Sequence, residues 1–276
     1  EKKRSFGWET DADSEDYRDF LHRFAAALTA FIDRKGIRNF CRFHVSDEPS
    51  LEQYEVYKKR ADLIAEIFPG FKVIDALSDI EFFDKGAVKY PIPSEDHVED
   101  FVGKVDEFWT YYCCGQHNKN VPNRFIAMPS ARNRILGTQL YKYNATGFLQ
   151  WGYNYRYSQF SKHEIDPFTV TDAGKAFPSG DAFVVYPGED GQPINSLRFK
   201  VFYDGLQDLA AMRLLESLVG REKALEIAIQ DNELTFQKYP HGSSYLLALR
   251  ERVNKAINEN IYNITATRNM GAVIYF

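Results

Sequence analysis

A chain of 276 residues with 44% hydrophobic residues is long enough for one large domain or two small ones and can bury a substantial core. Its 34 Lys and Arg against 39 Asp and Glu leave a net charge of −5, which gives nucleic acid or an anionic membrane no electrostatic reason to bind and suits a neutral or cationic small ligand. No apolar run reaches the roughly 18 residues that a membrane span requires.

Residues 14–34 place Tyr17, Phe20, Leu21, Phe24, Leu28, Phe31 and Ile32 three and four apart, which predicts an amphipathic helix. Ser14 is its expected N-cap, Glu15 and Asp16 suit its first turn, and Gly36 stops it. A bulky strand follows over 40–45 and breaks at Ser46-Asp47-Glu48-Pro49-Ser50. Ser50 then opens a helix through Leu51, Tyr54, Tyr57, Ala61, Ile64 and Phe68, closed by Pro69-Gly70. Further strands are expected over 72–76, 107–113, 147–151 and 182–186, with helices over 129–143 and 196–218, the latter ended by Gly220. Two more helices follow over 222–229 and 243–261. The apolar end at 272–276 reads equally as a tail strand or as a docking segment.

Strands alternating with helices indicate a parallel sheet, either doubly wound or closed. Polar groups follow each strand: Asp47-Glu48, Ser78-Asp79, His117 with its neighbours, Tyr153-Asn154, and Glu189-Asp190. Such collection at strand C-termini, with no GxGxxG or P-loop opening a helix, favours a (β/α)8 TIM-type barrel over residues 1–220, with residues 221–276 as helices packed outside it. Five strands fall short of eight, so the first strands are expected upstream of Glu1, consistent with a start, EKKRSFGW, that is neither a methionine nor a signal peptide.

The pair Asp47-Glu48 carries the strongest chemical signal. Successive strand side chains point to opposite faces, so adjacent carboxylates share a site only where the backbone bends. Pro49 is expected to end the strand there and to bias Glu48 toward an extended conformation. Repulsion within such a pair favours one protonated acid beside one ionised partner, which suits glycosidic cleavage: Glu48 as proton donor, Asp47 stabilising positive charge. The bland alternative is a solvated loop that caps the next helix.

Aromatics make up 15% of the chain, with 22 Phe and 17 Tyr. Trp109, Tyr111, Tyr112, Trp151 and Tyr153, with Asn154, are candidates for a sugar platform. Ring faces pack on a pyranose while hydroxyl and amide groups fix its orientation. His44, three residues before Asp47, could bond a sugar hydroxyl or the carboxylates. Asp75, Asp79 and Asp181 also flank strands, and each reads first as a cap or turn acid; Asp181 is kept as a candidate substrate contact. The six histidines form no HxH or HExxH pair, and Cys41, Cys113 and Cys114 match neither a zinc spacing nor a disulfide framework, so no metal or cofactor is expected. No Gly-x-Ser-x-Gly elbow is present.

Four stretches, taken in order, resemble the catalytic domain of glycoside hydrolase family 123. They are His44-Val45-Ser46-Asp47-Glu48-Pro49, Phe108-Trp109-Thr110-Tyr111-Tyr112-Cys113-Cys114, Gly147-Phe148-Leu149-Gln150-Trp151-Gly152-Tyr153-Asn154 and Gly180-Asp181-Ala182-Phe183-Val184-Val185-Tyr186-Pro187-Gly188. The resemblance implies a retaining exo-β-N-acetylgalactosaminidase whose substrate's own 2-acetamido group replaces an enzyme nucleophile. Glu48 would be general acid/base and Asp47 the group orienting the acetamido. It further implies a glycan partner ending in a β-linked N-acetylhexosamine and a secreted or periplasmic location. The rival from another class is a non-catalytic carbohydrate-binding protein on a partial barrel.

Overall fold

The first helix forms where its periodicity places it, as α1 (Glu15–Lys35), closed by Gly36 in the left-handed conformation at φ 66°. Ser14 does not cap it; its hydroxyl instead donates to the Asp11 carbonyl at 2.8 Å. Ala25, with Leu21 and Leu28, packs on Ile67, Phe68 and Phe43, whereas Phe20, Phe24 and Phe31 on the same helix are exposed. The computed structural model describes residues 5–7, 10–230 and 233–270, with side chains to residue 261. The apolar end at 272–276 lies outside these. The described residues form two compact units, Glu1–Ile92 with Gly103–Asp106, and Pro93–Val102 with Glu107–Phe276.

In the first unit, β1 (Arg42–Phe43), α2 (Tyr54–Ile67), β2 (Lys72–Ala76), α3 (Glu81–Asp84) and β3 (Tyr90–Ile92) follow α1. The strands form a parallel sheet in the order β1-β2-β3, with Arg42 opposite Lys72 and Ile74 opposite Tyr90. Strand β3 has no strong sequence signal: Tyr90-Pro91-Ile92 is three residues long and contains a proline. Tyr57, Ala61, Leu77, Phe82, Ala87 and Val88 form one apolar core of this unit.

The second unit contains β4 (Trp109–Tyr111), α4 (Ser130–Arg134), α5 (Leu136–Lys142), β5 (Gly147–Leu149), β6 (Val185–Pro187), β7 (Pro193–Asn195), α6 (Leu197–Val219), α7 (Arg221–Ile229) and α8 (Ser243–Met270). Strands β4 and β5 pair in parallel, and Ser94 bridges Tyr111 on the other side of β4, also in parallel. Ser196 caps α6 through a bond from the Phe199 amide at 3.1 Å. One apolar core joins Ile135, Tyr141, Met212 and Leu215 to Ala224, Leu246, Leu249 and Val253, so α5 through α8 are packed together. Helices α5 and α6 cross at Gly137 and Gly205, where a methyl group on Gly137 would fall on the Gly205 carbonyl.

These strands do not form the expected (β/α)8 barrel. Among the described residues there are a three-stranded parallel sheet, a parallel pair and an antiparallel hairpin. The stretch expected as a fifth barrel strand, 182–186, turns back on itself instead. Tyr186 pairs with Ile194 across an antiparallel hairpin whose turn is closed by Gly188 N–H to the Gln192 carbonyl at 2.9 Å, with Gly191 at φ 77°. Proline and glycine at 187, 188, 191 and 193 favour a tight return over a helical crossover. Strand β1 is also shorter than expected, because a side chain of β2 takes the backbone amides that would extend it.

Candidate active site

The carboxylate pair lies on the loop that leaves β1, and both Asp47 and Glu48 are exposed. Glu48 is not extended, as the proline after it led us to expect, but sits in the left-handed region at φ 45°. That conformation bends the chain at the pair. A non-glycine residue held there costs on the order of 1–3 kcal/mol, and such strain persists only where neighbours over-determine it. Here the Glu48 amide donates to the Ala76 carbonyl at 2.9 Å, which ties the bend to the end of β2.

His44 is brought to the same loop. Its Nδ1 lies 2.8 Å from Oδ1 of Asp75, a carboxylate with no solvent exposure, while about half of the imidazole is open. The bond to Asp75 raises the His44 pKa above its ordinary value, burial opposes the shift, and the charges of Asp75 and Asp47 add to it. Tyr57 donates its hydroxyl to the other Asp75 oxygen at 2.6 Å, and burial, with Asp75 beside it, pushes the phenol well up. Asp75 was legible only as an acid inside the apolar run Val73-Ile74-Asp75-Ala76. A lone carboxylate in a strand is the signal that should have promoted it.

The remaining sugar-contact candidates all lie in the second unit, and the structure sorts them by exposure. Tyr111 and Tyr112 are buried, Tyr112 completely, with its phenol pushed up to about 12 by burial. Neither can offer an open ring face. Trp109 is half-buried over Gly147, whose missing side chain makes room for the indole. Trp151 is half-buried too and packs on Tyr155 and Phe177 with ring centres 5.8 and 5.2 Å away. Tyr153 and Asn154 are exposed. They line a cavity of about 440 Å³ together with Arg156, Phe183, Tyr186 and Gln192, a size suited to a small ligand.

Asp181 is fully buried with neither carboxylate oxygen in a good hydrogen bond. The Trp151 indole and the Arg124 and Arg198 guanidiniums lie around it. Burial lifts its carboxyl to about 6, and Arg124 opposes that shift. Arg124 is itself buried; its Nη2 donates to the carbonyls of Asp181 and Gly152 at 2.8 and 3.3 Å, and its guanidinium lies 5.2 Å from the centre of the Tyr112 ring. Thus Tyr112 and Asp181 are gathered around one arginine that the sequence did not single out, with Trp151 beside Asp181, although a cation within the stretch Val121-Pro122-Asn123-Arg124-Phe125-Ile126 is unusual in an apolar setting.

Glu95 is a second buried acid that sequence reading missed. It has no solvent exposure and no partner on either oxygen, and burial raises its carboxyl well above the ordinary 4.5, with the charge of Asp96 adding to the shift. An acid that stays protonated in the folded state while the unfolded chain ionises makes stability fall as pH rises above about 4.5. Glu95→Gln should therefore flatten the pH dependence and be relatively more stable than the parent at pH 8 than at pH 5, as read from urea midpoints. Parallel curves for the two proteins would show that Glu95 ionises freely.

The sequence model of the glycoside hydrolase 123 catalytic domain matches residues 1–215. The chain belongs to glycoside hydrolase family 123. The resemblance carried by the four ordered motifs is thereby borne out. Among solved structures, this family 123 chain is similar to a family 123 glycoside hydrolase from Clostridium perfringens, studied for glycolipid glycan hydrolysis. The TM-score is 0.57 and the identity 17%, over 96% of this chain and 48% of that one. The chain thus spans about half the length of that enzyme. The comparison with curated proteins gives no match. Among the described residues no three His, Cys, Asp or Glu side chains gather as a metal site, and no helix is long and apolar enough to cross a membrane.

Proposed function

We propose that this family 123 domain is a retaining exo-β-N-acetylgalactosaminidase that acts with assistance from its substrate. The observation that carries this reading is the exposed Asp47-Glu48 pair on a bend tied to β2, within a chain of this family. In the first step the acetamido carbonyl oxygen attacks C1 as the bond to the leaving oxygen breaks, and Glu48 gives that oxygen its proton. Asp47 accepts a hydrogen bond from the acetamido N–H and balances the positive charge of the oxazolinium ion that forms. In the second step Glu48, now ionised, takes a proton from the water that opens the ring at C1. An enzyme nucleophile is not needed, so the carboxyl spacing of two-carboxylate retaining enzymes does not apply. The substrate is a glycan or glycoconjugate with a terminal β-linked N-acetylhexosamine, and His44, on the same loop as the pair, is its proposed contact in the first unit. The exposed Tyr153 and Asn154, with the half-buried Trp109 and Trp151, are the candidate sugar contacts of the second unit taken by itself. A secreted or periplasmic location fits such a substrate.

Release of an aryl aglycone from matched 2-acetamido and 2-hydroxy β-galactosides tests the reading. Cleavage of the acetamido substrate alone is the expected result. Efficient cleavage of the plain galactoside would replace substrate assistance by a two-carboxylate mechanism, and sugar binding without any cleavage would mark a non-catalytic carbohydrate-binding domain.

A further inference from the structure

Strand β1 ends after two residues because a side chain of β2 takes over its hydrogen bonds. The parallel register sets Arg42 opposite Lys72 and Phe43 opposite Val73, so its continuation would bring residue 45 opposite residue 75. At that point the Asp75 carboxylate intervenes. Its Oδ1 accepts the Val45 amide at 2.7 Å, the Ser46 amide at 3.0 Å and the His44 Nδ1–H at 2.8 Å, while its Oδ2 accepts the Tyr57 hydroxyl at 2.6 Å. Two residues further on, the Glu48 amide reaches the carbonyl of Ala76, the residue after Asp75. The end of β2 therefore grips three of the four backbone amides from Val45 to Glu48, together with the imidazole that precedes them.

A carboxylate with no solvent exposure that accepts four hydrogen bonds has its desolvation cost offset by them, and bonds to an ionised acceptor are roughly twice as strong as neutral ones. It also fixes geometry. With Oδ1 holding two successive amides, the chain cannot rotate about residues 45 and 46 without breaking both bonds, so the direction in which residues 47 and 48 leave is set. Tyr57, on α2 and within the core, fixes the carboxylate in turn. We propose that Asp75 is the positioning residue of the Asp47-Glu48 loop, holding the orientation in which Glu48 delivers its proton; this rests on the reading of Glu48 as the acid.

Amide hydrogen exchange and leaving-group dependence test this in the folded chain. In the parent, the Val45 and Ser46 amides should be protected. In Asp75→Asn, which keeps one acceptor oxygen but loses the charge and the second acceptor, they should exchange at least roughly tenfold faster. On aryl 2-acetamido-β-galactosides, Asp75→Asn should lower kcat by about tenfold to a hundredfold where the leaving group is poor, with KM within about threefold. The loss should shrink as the leaving group needs less protonation. Tyr57→Phe, which removes only the Oδ2 bond and leaves the three Oδ1 bonds in place, should show the same leaving-group trend as Asp75→Asn with a smaller loss.

Parent Val45 and Ser46 amides that exchange as freely as an unprotected loop would overturn the proposal, and this needs no variant to fold. An equal loss in Asp75→Asn across all leaving groups would overturn it too, since that pattern marks general structural damage. A parent chain that cleaves no glycoside would defeat the glycosidase reading, while the exchange rates would still decide whether Asp75 holds the loop.

Discussion

Glu48→Gln should lower hydrolysis of 2-acetamido-β-galactosides with poor leaving groups on the order of 10²–10⁴-fold, the usual contribution of a positioned general acid. The amide keeps the size of the side chain and cannot give a proton, so the departing oxygen must leave as an anion. With an activated aryl leaving group the first step needs little protonation and the loss should be much smaller. The fold should not suffer, because the side chain is exposed and the amide that ties the loop to Ala76 belongs to the backbone. A series of aryl glycosides of graded leaving-group pKa is the measurement, with kcat and kcat/KM read separately. A rate unchanged on the poorest leaving group would remove Glu48 from the mechanism. Asp47→Asn offers a complementary pattern: it should slow the acetamido substrate whatever the leaving group, since charge on the oxazolinium ion develops in every case.

The largest loss of stability is expected at Asp208, far from the carboxylate pair in sequence. Its carboxylate has no solvent exposure and binds Arg134 through Nε at 2.7 Å and Nη2 at 3.0 Å, and Arg250 through Nη1 at 2.9 Å. One buried acid thereby joins α4, α6 and α8. Asp208→Ala removes the buried carboxylate that two partly buried guanidiniums share, and breaking a buried pair in this way costs up to about 3–5 kcal/mol. For a unit of this size that is a fall of roughly 6–20 °C in Tm. Thermal unfolding followed by helical circular dichroism reads it. A change within about 1 kcal/mol would mean that the pairs are solvated enough to behave like surface ion pairs.

Both expectations concern residues whose roles were unequally visible in the sequence. Glu48 stood out because an acidic pair followed by proline closes a bulky run, a local pattern. Asp208 lies within a helix of mixed polarity and looks like any surface acid; only its two partners, 74 and 42 residues away, make it a buried hub. Glu95 was hidden in the same way, since nothing local says that it will be enclosed, whereas Arg124 showed only the weak signal of a cation in an apolar stretch. Asp75 lay between these cases: its place in an apolar strand was visible, but not that its carboxylate would take the amides of Val45 and Ser46.

Sequence alone determined what depends on neighbours along the chain. Residues 14–34, 51–68 and 196–218 read as helices and appear as α1, α2 with the turn before it, and α6, because helical hydrogen bonds and faces repeat every three to four residues. The strand at 72–76 and the family itself, through four ordered motifs, were legible on the same footing. Tertiary structure decided what depends on partners distant in sequence: which strands pair, that 185–195 returns as a hairpin, that β1 stops after two residues, and that the eight-stranded barrel does not close among the described residues. A strand carries only half of its hydrogen bonds. The other half belongs to whatever segment or side chain reaches it first, and at β1 that partner is the carboxylate of Asp75.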